Sequence, residues 1–80
     1  MELKYLILEC RGTESPVIFP NWIEHHEMAK GKKVLSAGFC RIKRGVEDNW
    51  KVTCWGKSQS LKVESQDEDH ILIEHLLHRQ

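Results

Sequence analysis

The sequence predicts an α+β fold: a small antiparallel sheet of four to five strands with two helices packed on one face. Short apolar runs are separated by turn residues, and two other stretches begin with helix-capping patterns. The composition, 40% apolar and 30% charged, is typical of a globular domain. The expected element order is β-β-α-β-β-(β)-α. Residues 1–80 are expected to form a single domain, because a chain of 80 residues builds only one core.

The first two strands precede the first helix. Residues 3–10 carry apolar side chains on both faces, which favours a strand inside the sheet. Turn residues follow at positions 11–15. Residues 17–19 then form a short apolar run between Pro16 and Pro20, and flanking prolines suit a strand at the edge of the sheet.

Capping residues mark both helices. Asn21 is the candidate N-cap of the first helix, Glu24 completes a capping box, and Gly31 ends a helix of about residues 22–30. A second capping box at residues 65–68 starts the last helix, which continues to about His78.

A hairpin is expected between the two helices. Residues 34–43 and 50–56 are its strands, joined by a polar loop that contains a glycine. Residues 58–63 fit either a last short strand or a connecting loop. The sheet therefore has four or five strands.

The first helix carries a sequence close to the H-E-x-x-H signature of zinc metalloproteases, namely His26-Glu27-x-x-Lys30. Lys30 occupies the position of the second histidine, and its ammonium group repels a divalent cation. His25 cannot replace it, because adjacent helical residues point about 100° apart. A helical projection instead places His26 on the packing face, one turn after Trp22, with His25 at the margin and half exposed.

The last helix presents two different faces. Its core face is expected to consist of Leu72, Ile73, Leu76 and Leu77. Ile71, His75 and His78 fall on the opposite side and are candidates for contact with a partner or a second copy of the chain. His75 and His78 are three residues apart and are weak candidate metal ligands, but no third ligand is visible, so no metal site is predicted.

Charge is balanced overall but unevenly distributed. Twelve basic and twelve acidic residues cancel, which does not suggest a dedicated nucleic-acid binder. Residues 30–44 nevertheless contain six basic residues and no acid, whereas residues 64–74 contain five acids and no base. The six basic residues are Lys30, Lys32, Lys33, Arg41, Lys43 and Arg44. If they meet on one surface, they could contact phosphates.

The three cysteines and the absence of catalytic motifs indicate a non-enzymatic cytoplasmic protein without a cofactor. Cys10, Cys40 and Cys54 are odd in number and widely spaced, which is typical of reduced thiols in a cytosolic chain. A bridge between Cys40 and Cys54 across neighbouring strands is open but not implied. The sequence has no apolar run of about 18 residues and no signal-peptide layout, so no membrane association is expected.

Three segments resemble short hypothetical proteins found in phages and prophages: VLSAGFCRI, CWGKSQSLKVES and DEDHILIEHLL. The resemblance implies no activity and carries no functional residues. It implies a small cytoplasmic protein that binds a host or phage protein, for example as an inhibitor of a defence system.

The leading hypothesis is therefore a protein that acts by protein–protein interaction, with a homodimer as one form of it. Its first candidate surface is the outward face of the last helix, and its second is an unpaired sheet edge. The alternative is a small nucleic-acid or phosphate-binding protein that uses the basic 30–44 region. A metal-binding protein is the third hypothesis.

Overall fold

The computed structural model describes residues 2–78 and confirms the α+β class. Four antiparallel strands form the main sheet in the spatial order β2-β1-β3-β4. They are β1 (Glu2–Cys10), β2 (Thr13–Pro20), β3 (Val34–Arg44) and β4 (Trp50–Trp55). The predicted hairpin is the β3–β4 pair, and β1 lies inside the sheet between β2 and β3, as its two apolar faces predicted.

The remaining elements are short. Two helices, α1 (His25–Ala29) and α2 (Asp69–His78), and a 3-10 turn at Val46–Asp48 accompany the main sheet. A second, two-stranded sheet consists of β5 (Lys57–Ser58) and β6 (Val63–Glu64). The stretch 58–63 is therefore mainly a turn whose ends belong to these two strands. Among the described residues, no helix is long and apolar enough to cross a membrane.

The two helices cover opposite faces of the sheet, so the predicted packing on one face is wrong. Tyr5 and Ile7 of β1 share a buried cluster with Ile73 of α2. Leu6 and Leu8 share another with residues of α1 and of the β5–β6 segment. Successive strand side chains point to opposite faces, so these clusters lie on the two sides of β1. A strand that is apolar on both faces needs cover on both, and one helix is available for each.

The first helix begins later than predicted. Glu24, not Asn21, is its N-cap and forms a capping box with Glu27. The Lys4 ammonium donates to the Ile23 carbonyl oxygen at 2.9 Å and so ties the preceding segment to β1. His25 and Ala29, one turn apart on this helix, face the sheet and are buried, whereas His26 is exposed.

The predicted packing of His26 beside Trp22 is therefore wrong. Trp22 precedes the helix and is 78% exposed. His25 was expected at the margin of the packing face, but it is only 3% exposed.

A buried carboxylate fixes the start of the second helix. Asp69 is 3% exposed and accepts hydrogen bonds from the Tyr5 hydroxyl at 2.5 Å and the Ser36 hydroxyl at 2.9 Å. It also accepts from the backbone N–H of Gln66, three residues earlier, at 2.9 Å, as the acidic residue of a capping box does. These bonds join α2 to β1 and β3. They meet the need of a buried charged group for hydrogen-bond partners.

Candidate functional site

α1 covers only part of its side of the sheet, and the part formed by β3 and β4 is open to solvent. We call this part the β3–β4 face. The β3–β4 face consists of the side chains of Arg41, Lys43, Lys51, Thr53 and Trp55. The first four are exposed and Trp55 is half-buried. Together with Glu2 they line an open depression of about 570 Å³.

The hairpin register brings these side chains together. Lys43 lies opposite Lys51, and Arg41 lies opposite Thr53. Alternate residues of a strand share a face, so these pairs stand side by side on the same surface. Glu2 of β1 is the partner of Arg41 on its other side and, among the described side chains, is the one acid in the lining. The depression therefore carries a local positive charge although the chain is neutral overall.

Aromatic rings form the other end of the β3–β4 face. Trp55 lies opposite Phe39, with ring centroids 6.4 Å apart and ring planes 27° from parallel. The Arg41 guanidinium carbon lies 5.6 Å from the centre of the Trp55 ring, within the range of a cation–π contact. A stacked pair of aromatic rings therefore adjoins the cationic side chains.

A buried histidine packs against the Phe39 ring from the side of α1. His25 packs edge-on against Phe19 and Phe39, with centroids 5.5 Å and 5.9 Å away. Its Nε2–H donates to the Gly38 carbonyl oxygen at 2.9 Å. Burial lowers the pKa of His25, and this outweighs the opposing effect of that hydrogen bond, so the ring is held in its neutral form. His25 thus acts as a packing residue that fixes Phe39 in the sheet.

Gly38 allows the chain after β4 to pass close to β3. A Cβ atom at this position would lie 2.5 Å from the Trp55 carbonyl oxygen and 3.3 Å from the Ser65 Cβ. No real Cβ approaches backbone so closely, so a side chain here would push β4 or the following segment away. Gly38 therefore sets the position of the residue that carries the indole ring.

The predicted basic region is divided among three places. Arg41 and Lys43 lie on the β3–β4 face. Arg44 lies 4.9 Å from the ring centre of Trp50, one strand position later, where alternation points it to the other side of the sheet. Lys30, Lys32 and Lys33 precede β3, and Lys33 pairs with Glu9 at 3.2 Å. They are separated from Lys43 by most of an 11-residue strand, about 30 Å when extended.

Lys51 and Thr53 are the members of the β3–β4 face that sequence reasoning missed. They and Trp55 are alternate residues of β4, and all three lie opposite alternate residues of β3. The alternation of side chains within the hairpin is the sequence signal that could have identified them. It assigns β4 residues to the face of Arg41 and Lys43 only if the register of the two strands is known, and the length of the loop between them left that register undetermined.

The outward side of α2 forms a second surface. Ile71 is 44% exposed, and His75 and His78 are exposed, as the helical projection predicted. A groove of about 490 Å³ lies beside Ile71. Its lining is Glu14, Leu35, Ser36, Gln66, Glu68, Asp69, Ile71 and Leu72. This surface is apolar and acidic, in contrast to the β3–β4 face.

Metal ligation and thiol chemistry receive no support from the geometry. Within residues 2–78, no three His, Cys, Asp or Glu side chains converge on a point where they could hold a metal ion, so His75 and His78 lack a third ligand there. Cys40 and Cys54 face each other across β3 and β4 as free thiols. Burial raises the pKa of Cys40 to about 11 and that of Cys54 to about 12, so both are poor nucleophiles.

Comparison of the chain with protein-family models, with curated proteins and with solved structures finds no match in any of the three.

Proposed function

We propose that this protein is a small non-enzymatic nucleic-acid-binding protein and that its binding surface is the β3–β4 face. The observation that carries the proposal is the arrangement of Arg41, Lys43 and Lys51 beside Trp55 on one open sheet face. Lysine and arginine bind nucleic acid by neutralising phosphates, and exposed aromatic rings add contacts to bases. Sheet faces that combine the two are a recurrent nucleic-acid-binding surface.

The placement of two lysines supports this proposal. Like charges directly opposite each other destabilise an antiparallel pair, and Lys43 and Lys51 are such a pair. Arg41 adds a third positive charge two residues from Lys43 on the same face. Residues whose local interactions destabilise the fold are expected at functional sites. A polyanion would relieve the repulsion on binding.

The neutral net charge is compatible with this function because the charges are segregated. Glu14 and Glu68 line the groove beside α2, whereas Arg41, Lys43 and Lys51 lie in the depression on the other side of the sheet. The two surfaces therefore differ in local charge, and such a difference orients a molecule as it approaches a charged partner. The electrostatic potential at the contact surface governs the attraction to a polyanion, so a net charge of zero does not prevent binding.

A titration of labelled DNA and RNA at low salt, followed by fluorescence anisotropy, tests this function. The unmodified protein should bind and should lose affinity as salt is raised. The double variant Lys43→Glu/Lys51→Glu should lose binding. Lys30→Glu/Lys32→Glu changes the net charge equally at the far end of β3 and should retain it. Absence of binding at low salt, or equal loss in both double variants, would contradict the proposal.

The outward face of α2 favours a second candidate function, protein–protein interaction. Ile71 is a large exposed apolar residue beside a groove, and His75 and His78 lie on the same helix surface. The partner would be a second copy of the chain or a host protein, as the resemblance to phage and prophage proteins implies, and the contact would occur in the cytoplasm.

Light scattering at increasing concentration tests the homodimer form of this second function. A mass that rises with concentration in the unmodified protein, and stays monomeric in Ile71→Glu, would support it. A monomer at all concentrations would remove the homodimer.

A further inference from the structure

We infer that the β3–β4 face prefers single-stranded to double-stranded nucleic acid and stacks an unpaired base on Trp55. This inference rests on the proposed nucleic-acid-binding function and specifies its ligand. The cationic residues alone do not distinguish the two forms, since both present phosphates. The distinction comes from the aromatic end of the depression.

Trp55 is held in a position where a base can reach it. The ring is half-buried, lies beside Phe39 at a centroid distance of 6.4 Å, and lines the open depression. Phe39 stacks nearly parallel to the indole and so helps to hold its ring plane. His25 and Gly38 hold Phe39 and the Trp55 backbone. Phe39 and Arg41 in turn contact the indole, so the ring is positioned before a ligand arrives. A preorganised ring loses little freedom on stacking.

Only an unpaired base offers a free face to such a ring. In a duplex, the faces of the bases are covered by their neighbours in the stack, and the outside presents phosphates and groove edges. In a single strand the bases can be splayed out and stacked on aromatic side chains. The duplex can therefore use the cations of the β3–β4 face but not the indole ring.

Arg41 has a double role in this arrangement. Its guanidinium lies 5.6 Å from the centre of the Trp55 ring in the unbound protein and is exposed. An exposed cation–π contact is weak, so the guanidinium can leave the ring when a phosphate offers a charge-assisted hydrogen bond. This movement uncovers the ring for a base. The guanidinium thus protects the aromatic surface before binding and contacts the backbone of the ligand afterwards.

The dimensions of the β3–β4 face set the length of strand it can hold. From the Lys43–Lys51 pair to the Phe39–Trp55 pair is four residues along each strand, or about 13 Å. Sheets with aromatic platforms stack about two or three bases over such a surface. The footprint is therefore a short single-stranded segment, with phosphates at Lys43 and Lys51 and a base at Trp55.

Fluorescence anisotropy with four probes of equal length tests the inference: labelled oligo(dT), the corresponding DNA duplex, an abasic oligomer with the same phosphates, and polyglutamate. The inference predicts that oligo(dT) binds more tightly than each of the other three. Trp55→Ala should weaken oligo(dT) binding roughly tenfold and leave duplex binding unchanged. Trp55→Tyr, which keeps an aromatic ring, should restore most of the loss. Trp22→Ala removes an exposed indole outside the depression and is the matched control.

The outcomes separate the inference from the function on which it rests. If the abasic oligomer or the duplex binds as tightly as oligo(dT), stacking is contradicted while nucleic-acid binding stands. If no nucleic acid binds at low salt, both fail. If polyglutamate binds as well as oligo(dT), the surface recognises negative charge alone, which points to an acidic protein partner and overturns the inference. Circular dichroism of Trp55→Ala verifies that the fold is retained, and Trp55→Tyr provides the test if it is not.

Discussion

Lys43 and Lys51 lie directly opposite each other on β3 and β4, with both side chains exposed. Such a pair weakens the hairpin, so replacing one lysine by an acid should strengthen it. We expect Lys51→Glu to raise the free energy of unfolding by about 0.2–1 kcal/mol. The same substitution should weaken nucleic-acid binding. Urea denaturation and anisotropy measure the two effects, and a variant that is both less stable and fully active would contradict the account.

The control for this substitution is Lys32→Glu. It makes the same change in net charge at an exposed position before β3. We expect it to leave nucleic-acid binding nearly unchanged, because Lys32 lies far from the depression.

The salt dependence of binding should report the number of phosphates neutralised. If Arg41, Lys43 and Lys51 each contact one phosphate of a single strand, the slope of log K against log salt should be about −2. Lys43→Ala should reduce the magnitude of that slope by about 0.7. Titrations at four or five salt concentrations would measure both slopes. A slope near zero would show that the β3–β4 face does not bind phosphates.

The buried bond between Tyr5 and Asp69 should be a major determinant of stability. Tyr5→Phe removes one of the three donors to the carboxylate and should lower the free energy of unfolding by about 1–3 kcal/mol. Asp69→Ala should cost more, because it leaves both hydroxyls unpaired and removes the contact at the start of α2. Chemical denaturation measures these losses. Asp67→Ala, at an exposed position two residues earlier, should have little effect.

Stability should fall in mild acid because His25 is held neutral. Its pKa in the folded protein lies below the ordinary value of 6.5, so the unfolded chain takes up a proton first as the pH decreases. The stabilisation is complete above pH 6.5 and is lost as the pH falls below it. Denaturation between pH 8 and pH 5 should show this decrease. This decrease in stability should be absent in the His25→Gln variant. It should be unchanged in His26→Gln, because His26 is exposed.

Stability should also fall in alkali because of the two thiols that face each other, those of Cys40 and Cys54. Burial raises the pKa of Cys40 to about 11 and of Cys54 to about 12, from an ordinary value of 9.0. The unfolded chain therefore loses these protons first, and stability present below pH 9 decreases as the pH rises. Burial also raises the pKa of Tyr5, which adds to the same trend. Cys40→Ala/Cys54→Ala should flatten the decrease between pH 8 and pH 10, whereas Cys10→Ala, at an exposed site, should not.

The sequence was sufficient to predict the elements but not the contacts between distant ones. The apolar faces of β1 predicted its interior position, because alternation is a local property. The start of α1 was missed because Asn21 is the better N-cap by residue type, whereas the segment that follows it is tied to β1 by Lys4, 19 residues from its partner Ile23. The burial of Asp69 could not be predicted, since the residue looks like an ordinary first-turn acid.

The site residues follow the same division. Arg41 and Lys43 could be assigned to one face from β3 alone. Lys51 and Trp55 could be assigned to that face only once the pairing of β3 with β4 was known. Arg44 directly follows Lys43 in the strand, so its side chain points to the other side of the sheet. The buried partners of Asp69, namely Tyr5 and Ser36, lie 64 and 33 residues away. Long-range pairs of this kind leave no periodic signal in a single sequence.

Chemical-shift mapping of the backbone amides during a titration with unlabelled oligo(dT) at low salt tests whether the β3–β4 face binds nucleic acid. We expect the largest changes to cluster on β3 and β4, at Arg41, Lys43, Lys51, Thr53 and Trp55, and to disappear as salt is raised. The amides around Ile71 and His75 of α2 should remain unchanged. An unchanged spectrum, or changes centred on α2 with none on the β3–β4 face, would contradict this expectation.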